Sequence, residues 1–349
     1  MAKALPKLAK AKRLSWELYR DGITQGSLSV FLACPEQFRI LYCEGWEQRE
    51  LSYALEFGNY WHLACEIQNA HTAAKAWDKK VMNPSVSESV RREAQGGAMI
   101  LPFLWDQWQA HFAEKNKALK WIAREDSFQE KFILPSDAGR FGMQAGSPII
   151  LRGKQDGVIE EGGGLWLHEM KTKGVVDQET LDTSLHLNLQ TMLYMTVLKL
   201  LYPKQAIKGV IYDVIRRPSI KQGVKEPMGD YVERVKAEVR GEKYEMLTGK
   251  MTKGKGPSHY FMRWRHQLSP GDLERWQARV LQPSLYRLLQ WVEHHNPNKD
   301  PWSNPHHYIN PNALVGPYGP CAAYGAITAN DYSDLKPRTY MYPELEAPL

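Results

Sequence analysis

Cysteine is scarce: 349 residues carry Cys34, Cys43, Cys65 and Cys321, none at CxxC spacing. That excludes the disulfide framework of a small secreted domain and points to a reducing cytoplasm. No run approaches the ~20 apolar residues that a membrane helix needs, so no membrane partner is expected. The basic start, "MAKALPKLAKAKRLSW", lacks the apolar h-region of a secretory leader. No GxxxxGK[ST] occurs, so the P-loop that cradles ATP phosphates is missing. Internal repeats are missing as well. Charge is only mildly one-sided: Lys plus Arg number 45 against 39 Asp plus Glu, giving +6. Such an excess permits a polyanionic partner without requiring one.

What is present suffices for a sizeable core, since 43% of residues are hydrophobic. Residues 1–13 hold Lys3, Lys7, Lys10, Lys12 and Arg13 without an acid, a solvated arm or a nucleic-acid-binding one. In "SLSVFLACPEQFRILYCEGW", Ser27 or Ser29 can cap a short helix and Pro35 can open a second. "YALEFGNYWHLACEIQNAHTAAKAW" reads as helical, and Ser85 with Glu88 forms a capping box for a helix running towards Phe112.

From about residue 121 the apolar period becomes two, that of strands. "WIAREDSFQEKFIL" alternates, Pro135 to Gly146 reads as loop, and 149–160 with 165–172 form a hairpin across Gly162, Gly163 and Gly164. "SLHLNLQTMLYMTVLKLLYP" is apolar nearly all round, which predicts a buried helix. A strand over 207–215, a long polar segment to about 258, a strand in "HYFMRWRHQLS" and one or two helices after Pro270 follow. The pattern predicts an α/β chain with a mixed central sheet flanked by helices and a helical N-terminal portion. The expected organisation is a basic arm over 1–26, one α/β domain over 27–330 with a helical insertion at about 53–120, and an irregular tail over 331–349.

The chemistry concentrates in "LRGKQDGVIEEGGGLWLHEMKTKG", residues 151–174. Residues two apart on a strand share a face, so Glu169 and Lys171 point the same way. Asp156, on the partner strand, can lie alongside Glu169. Clustered carboxylates repel unless a cation neutralises them. Mg²⁺ takes one or two protein carboxylates plus waters and phosphate oxygens. An adjacent ammonium then suits phosphodiester hydrolysis. A salt-bridged hairpin with solvated ends is the other reading of the same residues. Gly58, His62 and Glu66 share one helix face, as do Gln190 and Tyr194.

Five segments occur in order: "SLSVFLACPEQF" from Ser27 to Phe38, "GNYWH" ending at His62, "GKQDG" with Asp156, "HEMKTK" with Glu169 and Lys171, and "QTMLY" from Gln190 to Tyr194. Together they resemble the RecB-type branch of the PD-(D/E)XK nucleases, over residues 27 to about 220, and look like phage members of it. The resemblance implies a restriction-endonuclease-like core and a metal-dependent DNA nuclease, an exonuclease of replication, recombination or repair. A structure-specific or nicking endonuclease and a catalytically silent DNA-binding protein are the rival readings.

It further implies that His62, Asp156, Glu169 and the Met170 carbonyl hold one or two Mg²⁺ or Mn²⁺ ions. Lys171 is then catalytic, and Gln190 and Tyr194 lie by the substrate. A helicase or recombinase is an implied partner, and a cytoplasmic bacterial or phage-encoded setting is implied too. Many relatives hold a [4Fe–4S] cluster on four cysteines. Here only Cys34 and Cys321 match, so no cluster is expected. Lys250, Lys253, Lys255, Arg263 and Arg265 interleave with Tyr260, Phe261 and Trp264 and include no acid. That pattern suits phosphates and unpaired bases, with Lys253, Lys255, Tyr260, Arg263 and Trp264 as candidate DNA contacts. A basic loop leading into a half-buried strand is the alternative.

Overall fold

The computed structural model describes residues 14–49, 52–82, 87–134, 148–177, 187–316 and 319–346. The basic segment 1–13, the loop expected from Pro135 to Gly146 and the capping residue Ser85 lie outside them. The switch to period two becomes a five-stranded sheet in sequential order: β1 (Lys120–Ile133), β2 (Pro148–Glu161), β3 (Gly164–Lys173), β4 (Ile207–Arg216) and β5 (Phe261–Gln267). β2 and β3 are antiparallel, with Val158 opposite Leu167 and Gly157 opposite His168. Gly162 and Gly163 turn the hairpin at φ +60° and +73°, the left-handed pair that a two-residue turn requires. β3 and β4 are parallel, and β4 and β5 antiparallel, so the sheet is mixed.

Parallel neighbours need a crossover. The apolar run supplies it as a helix over Leu189–Leu201, capped by the Asn188 side chain on the Thr191 amide and buried from Thr191 to Leu198. The three longest described helices before the sheet are Tyr53–Ile67, Ala70–Val81 and the 30-residue Glu88–Lys117. Counting the short N-terminal helix Gln25–Ala33 as α1, these are α2, α3 and α4, and the crossover is α5. Their shared core is aromatic. Trp61 lies 5.7 Å from Trp105 and 6.0 Å from Trp108 between ring centroids, and Trp77 stacks on Tyr60 at 5.1 Å. α3 and α4 approach at Gly97, where a Cβ would stand 2.4 Å from the Trp77 ring.

Two expectations need correcting. The polar segment before residue 258 contains helix α6 (Met228–Arg240) and a short hairpin, Lys243–Glu245 with Met251–Lys253. Val232, Val235 and Val239 recur at helical spacing and are buried, a thin stripe hidden among charges. The first helix is capped by Thr24, not by Ser27 or Ser29. Ser27 is the reciprocal partner three residues on, its hydroxyl taking the Thr24 amide.

The chain divides into two compact units, and the division falls within β1 and β2. One comprises residues 50–128 and 154–277. The other comprises 1–49, 129–153 and 278–348. In the latter, α1 packs against α7 (Gln282–His294) through Phe31 on Trp291, and Phe38, from the short helix Pro35–Phe38 that follows α1, meets the same indole. Trp46–Gln48 pairs with Leu335–Pro337. Glu36 is pinned by Arg39 at 2.7 Å and His307 at 2.8 Å. Among the described residues, no helix is long and apolar enough to cross a membrane.

Candidate metal-dependent active site

α2 carries one side of the site. Its N-terminus is fixed by Ser52, whose hydroxyl accepts the Leu55 amide. Gly58 faces β3: a Cβ there would stand 3.3 Å from Thr172 Oγ1, so a glycine lets helix and strand approach. One turn on, His62 Nδ1 lies 3.4 Å from Asp156 Oδ1 and 3.5 Å from Glu125 Oε1. After another turn, Glu66 Oε2 pairs with Lys154 Nζ at 2.5 Å. The predicted Gly58, His62, Glu66 face is therefore the face turned to the charged middle of β1 and β2.

The β2–β3 pairing runs as far as Gly157 and His168. Just beyond it, Asp156 Oδ2 accepts the Met170 amide at 2.6 Å. This bond draws Asp156 to the backbone between Glu169 and Lys171. The Met170 side chain points the opposite way, its Sδ 3.5 Å from Cys65 Sγ. Glu169 is fully buried, and Lys171 Nζ makes a close ion pair with its Oε1. Lys171 Nζ also donates to Gln190 Oε1 at 3.0 Å, so α5 holds the ammonium from the far side. Tyr194, one turn along α5, is buried with its ring edge-on to Phe128 at 5.3 Å between centroids. Tyr212 lies opposite Glu169 on β4.

Burial pushes the Glu169 carboxyl up to about 7, against the lowering by Lys171. Glu125 is likewise raised, by burial first. Burial pulls the His62 imidazole down, but Asp156 and a hydrogen bond to Glu125 outweigh it and lift the group to about 9. Burial also disfavours charged Lys171, yet Glu169 and Asp156 hold it above its ordinary value. The result is an excess of acid: Glu66, Glu125, Asp156 and Glu169 against the ammonium groups of Lys154 and Lys171, with the His62 imidazole among them.

Apart from the close ion pair of Glu169 Oε1 with Lys171, neither Glu169 oxygen nor Glu125 Oε1 has a hydrogen bond of normal geometry among the described residues. Buried carboxylates left this way ask for a cation. His62, Glu125 and Asp156 offer ligand atoms that all lie within 4.8 Å of one another. Carboxylate oxygens with one imidazole suit a hard or borderline divalent ion such as Mg²⁺ or Mn²⁺. The residues present therefore fit such an ion.

Glu125 was not among the candidates. Its signal is a slip of phase: Trp121, Ala123 and Glu125 occupy the inward positions of β1, and the inward positions resume at Phe128. The slip coincides with φ +45° at Glu125, a left-handed value for a non-glycine residue in a strand.

The candidate DNA contacts are spread out. Lys253 and Lys255 are exposed. Tyr260 is buried and donates to Glu238 Oε1 at 3.3 Å. Arg263 makes paired bonds to buried Asp213, which His168 Nε2 also meets at 3.2 Å. It further donates to Asn116 Oδ1 at 2.8 Å. Trp264 lies over Tyr212 at 5.9 Å between ring centroids.

A search of curated proteins finds no match. The family profile described as PD-(D/E)XK nuclease superfamily matches residues 23–301, which include every residue of the cluster. That superfamily consists of nucleases, typically dependent on Mg²⁺ or Mn²⁺, and membership implies a DNA substrate. A cluster of carboxylates beside a lysine on a mixed sheet agrees with the match: the chain belongs to the PD-(D/E)XK nuclease superfamily.

Proposed function

We propose that the chain is a RecB-type, phage-like member of the superfamily: an exonuclease that hydrolyses DNA phosphodiester bonds from ends, in replication, recombination or repair. The observation that carries the catalytic reading is the convergence of His62, Glu125, Asp156 and Glu169 beside Lys171. The exonuclease reading rests on the order of the motifs from Ser27 to Tyr194.

His62, Glu125, Asp156, Glu169 and the Met170 carbonyl would hold one or two divalent ions. Such an ion supplies Lewis acidity at the scissile phosphate and lowers the pKa of a water. Asp156 fixes the Met170 peptide, and so sets the spacing between the Glu169 and Lys171 side chains. Lys171 Nζ, steadied by Gln190, orients the attacking water and offsets charge growing on the phosphate oxygens. Tyr194 supports the wall of the site behind Gln190. Lys253, Lys255 and Trp264 remain the proposed DNA contacts, whereas Tyr260, buried on Glu238, and Arg263, buried on Asp213, would support the fold behind them rather than touch DNA. Unwinding would fall to a partner helicase or recombinase. Cys34 and Cys321 would pack as small side chains without an iron–sulfur cluster. Burial first, then the proximity of Cys34, raises the Cys321 thiol.

The test uses DNA labelled at the 5′ or 3′ end, single- and double-stranded, with Mn²⁺. Lys171→Ala should lower cleavage by about 10²–10⁴-fold while Mn²⁺ still raises the melting temperature. Equal cleavage by the variant would refute the catalytic role. Cutting of a covalently closed circle would replace the exonuclease reading with an endonuclease.

A further inference from the structure

We propose that a cleft of about 970 Å³ beyond the end of β3, with Arg217 and Lys221 among its lining residues, receives the unpaired DNA strand that extends from the cleaved phosphate. This rests on the nuclease reading and adds to it a substrate form and a path.

The cleft is built from the same elements as the metal site. Gly174, three residues past Lys171, lines it. At about 3.3 Å per residue, the Gly174 backbone lies roughly 10 Å along the chain from that of Lys171. The first turn of α2, the helix that carries His62, also lines it through Tyr53. A strand whose phosphate lies at Lys171 therefore meets this cleft within a few nucleotides.

Charge suits the same occupant. The Arg217 amide donates to the Lys173 carbonyl at 2.7 Å, and a Cβ on Gly174 would stand 3.4 Å from Arg217 Nη2. The end of β3 and the start of the next segment thus bring Lys171, Lys173, Arg216 and Arg217 together. Burial first, and then Lys171 and Arg217, hold the Lys173 ammonium below its ordinary value, so both cations stand near it. Lys221 is exposed on the lining. Arg92 is committed elsewhere: it holds the wall by donating to Gln222 Oε1 at 2.8 Å and to the Gly223 and Val224 carbonyls. Glu88 and Glu93, exposed on α4, line the other side and turn phosphates towards Arg217 and Lys221.

Half-buried Tyr53 and Tyr231 reach the lining with the parts of their rings left over from core packing, Tyr53 being stacked on Trp77 at 6.0 Å between centroids. Base-on-aromatic contacts need bases freed from pairing, and a concavity of this size matches a small ligand rather than a duplex. The chemistry that fits is therefore a single strand, phosphates on the cations and bases on the tyrosines.

The experiment measures binding of fluorescent single-stranded and blunt duplex oligonucleotides across a salt series, with Ca²⁺ replacing Mn²⁺. It uses the full chain, Arg217→Gln/Lys221→Gln and, as a surface change that spares the fold, Lys221→Glu. Both variants should bind single strands about 10-fold more weakly. The double variant should flatten the slope of log K against log salt by about 1.4, roughly 0.7 for each lost phosphate contact. Mn²⁺ should raise the melting temperature of all three proteins equally. Unchanged single-strand affinity and slope in a chain that cleaves DNA would overturn the cleft and leave the nuclease standing. Equal weakening for duplex and single strand would overturn the single-strand commitment. Wild-type protein that neither binds nor cleaves DNA would bring down both.

Discussion

Burial raises the Glu169 carboxyl to about 7 from an ordinary value of 4.5, and His62 stands at about 9 against 6.5. Both groups hold protons more tightly folded than unfolded. Their contribution to stability is present below the unfolded values and is lost as pH rises through the folded ones. In metal-free protein the melting temperature should therefore fall from about pH 4.5 to 9. A divalent ion competes with those protons, so Mn²⁺ affinity should climb with pH through 7. Glu169→Gln should weaken Mn²⁺ binding and flatten that climb, read by calorimetric titration. A climb identical to wild type would remove Glu169 from the ion's surroundings. His62, Asp156, Glu169 and Lys171 were legible in the sequence because each sits in a short recognisable segment. Glu125 was not, because its evidence is one slipped residue in an otherwise regular strand.

At the scale of elements, the α3–α4 contact depends on a missing side chain. Gly97→Ala would drive a methyl to 2.4 Å from the Trp77 ring and 2.8 Å from Tyr53, two large rings packed 6.0 Å apart between centroids. Overpacking of this kind costs about 1–3 kcal/mol, and thermal unfolding should report the loss. Gly96→Ala, one residue away, meets the Tyr231 ring at 3.0 Å and should cost less. Strongly periodic elements could be read in advance: the hairpin through its three glycines, α5 through its continuous apolar run. α6 could not, since its three valines are diluted by ten other residues, most of them polar. The hairpin after it has strands of three residues, too short for alternation to register.

At the scale of the whole molecule, the sheet class and the helical N-terminal portion followed from the order of periodicities. The assembly of each unit from separated stretches did not, because local pattern carries no information about distant contacts. The unit holding both ends of the described chain is joined by Glu36, whose carboxyl is buried yet held at about 2 by Arg39 and His307. A depressed carboxylate stabilises above its unfolded value of 4.5 and ceases to as pH falls through about 2. Acid should therefore destabilise the protein over that window, and Glu36→Gln should lower stability at pH 7 while making it less acid-dependent there. Circular dichroism during acid titration would measure both. The chain also carries twelve tryptophans. Three of them, Trp61, Trp105 and Trp108, lie within 6.0 Å of one another between ring centroids. Trp61 immediately precedes His62 in the chain. Indoles this close share their electronic excitations, so the near-ultraviolet dichroism of the trio registers any tilt of α2. The chain thus carries an optical gauge of the helix that bears His62, readable without a dye.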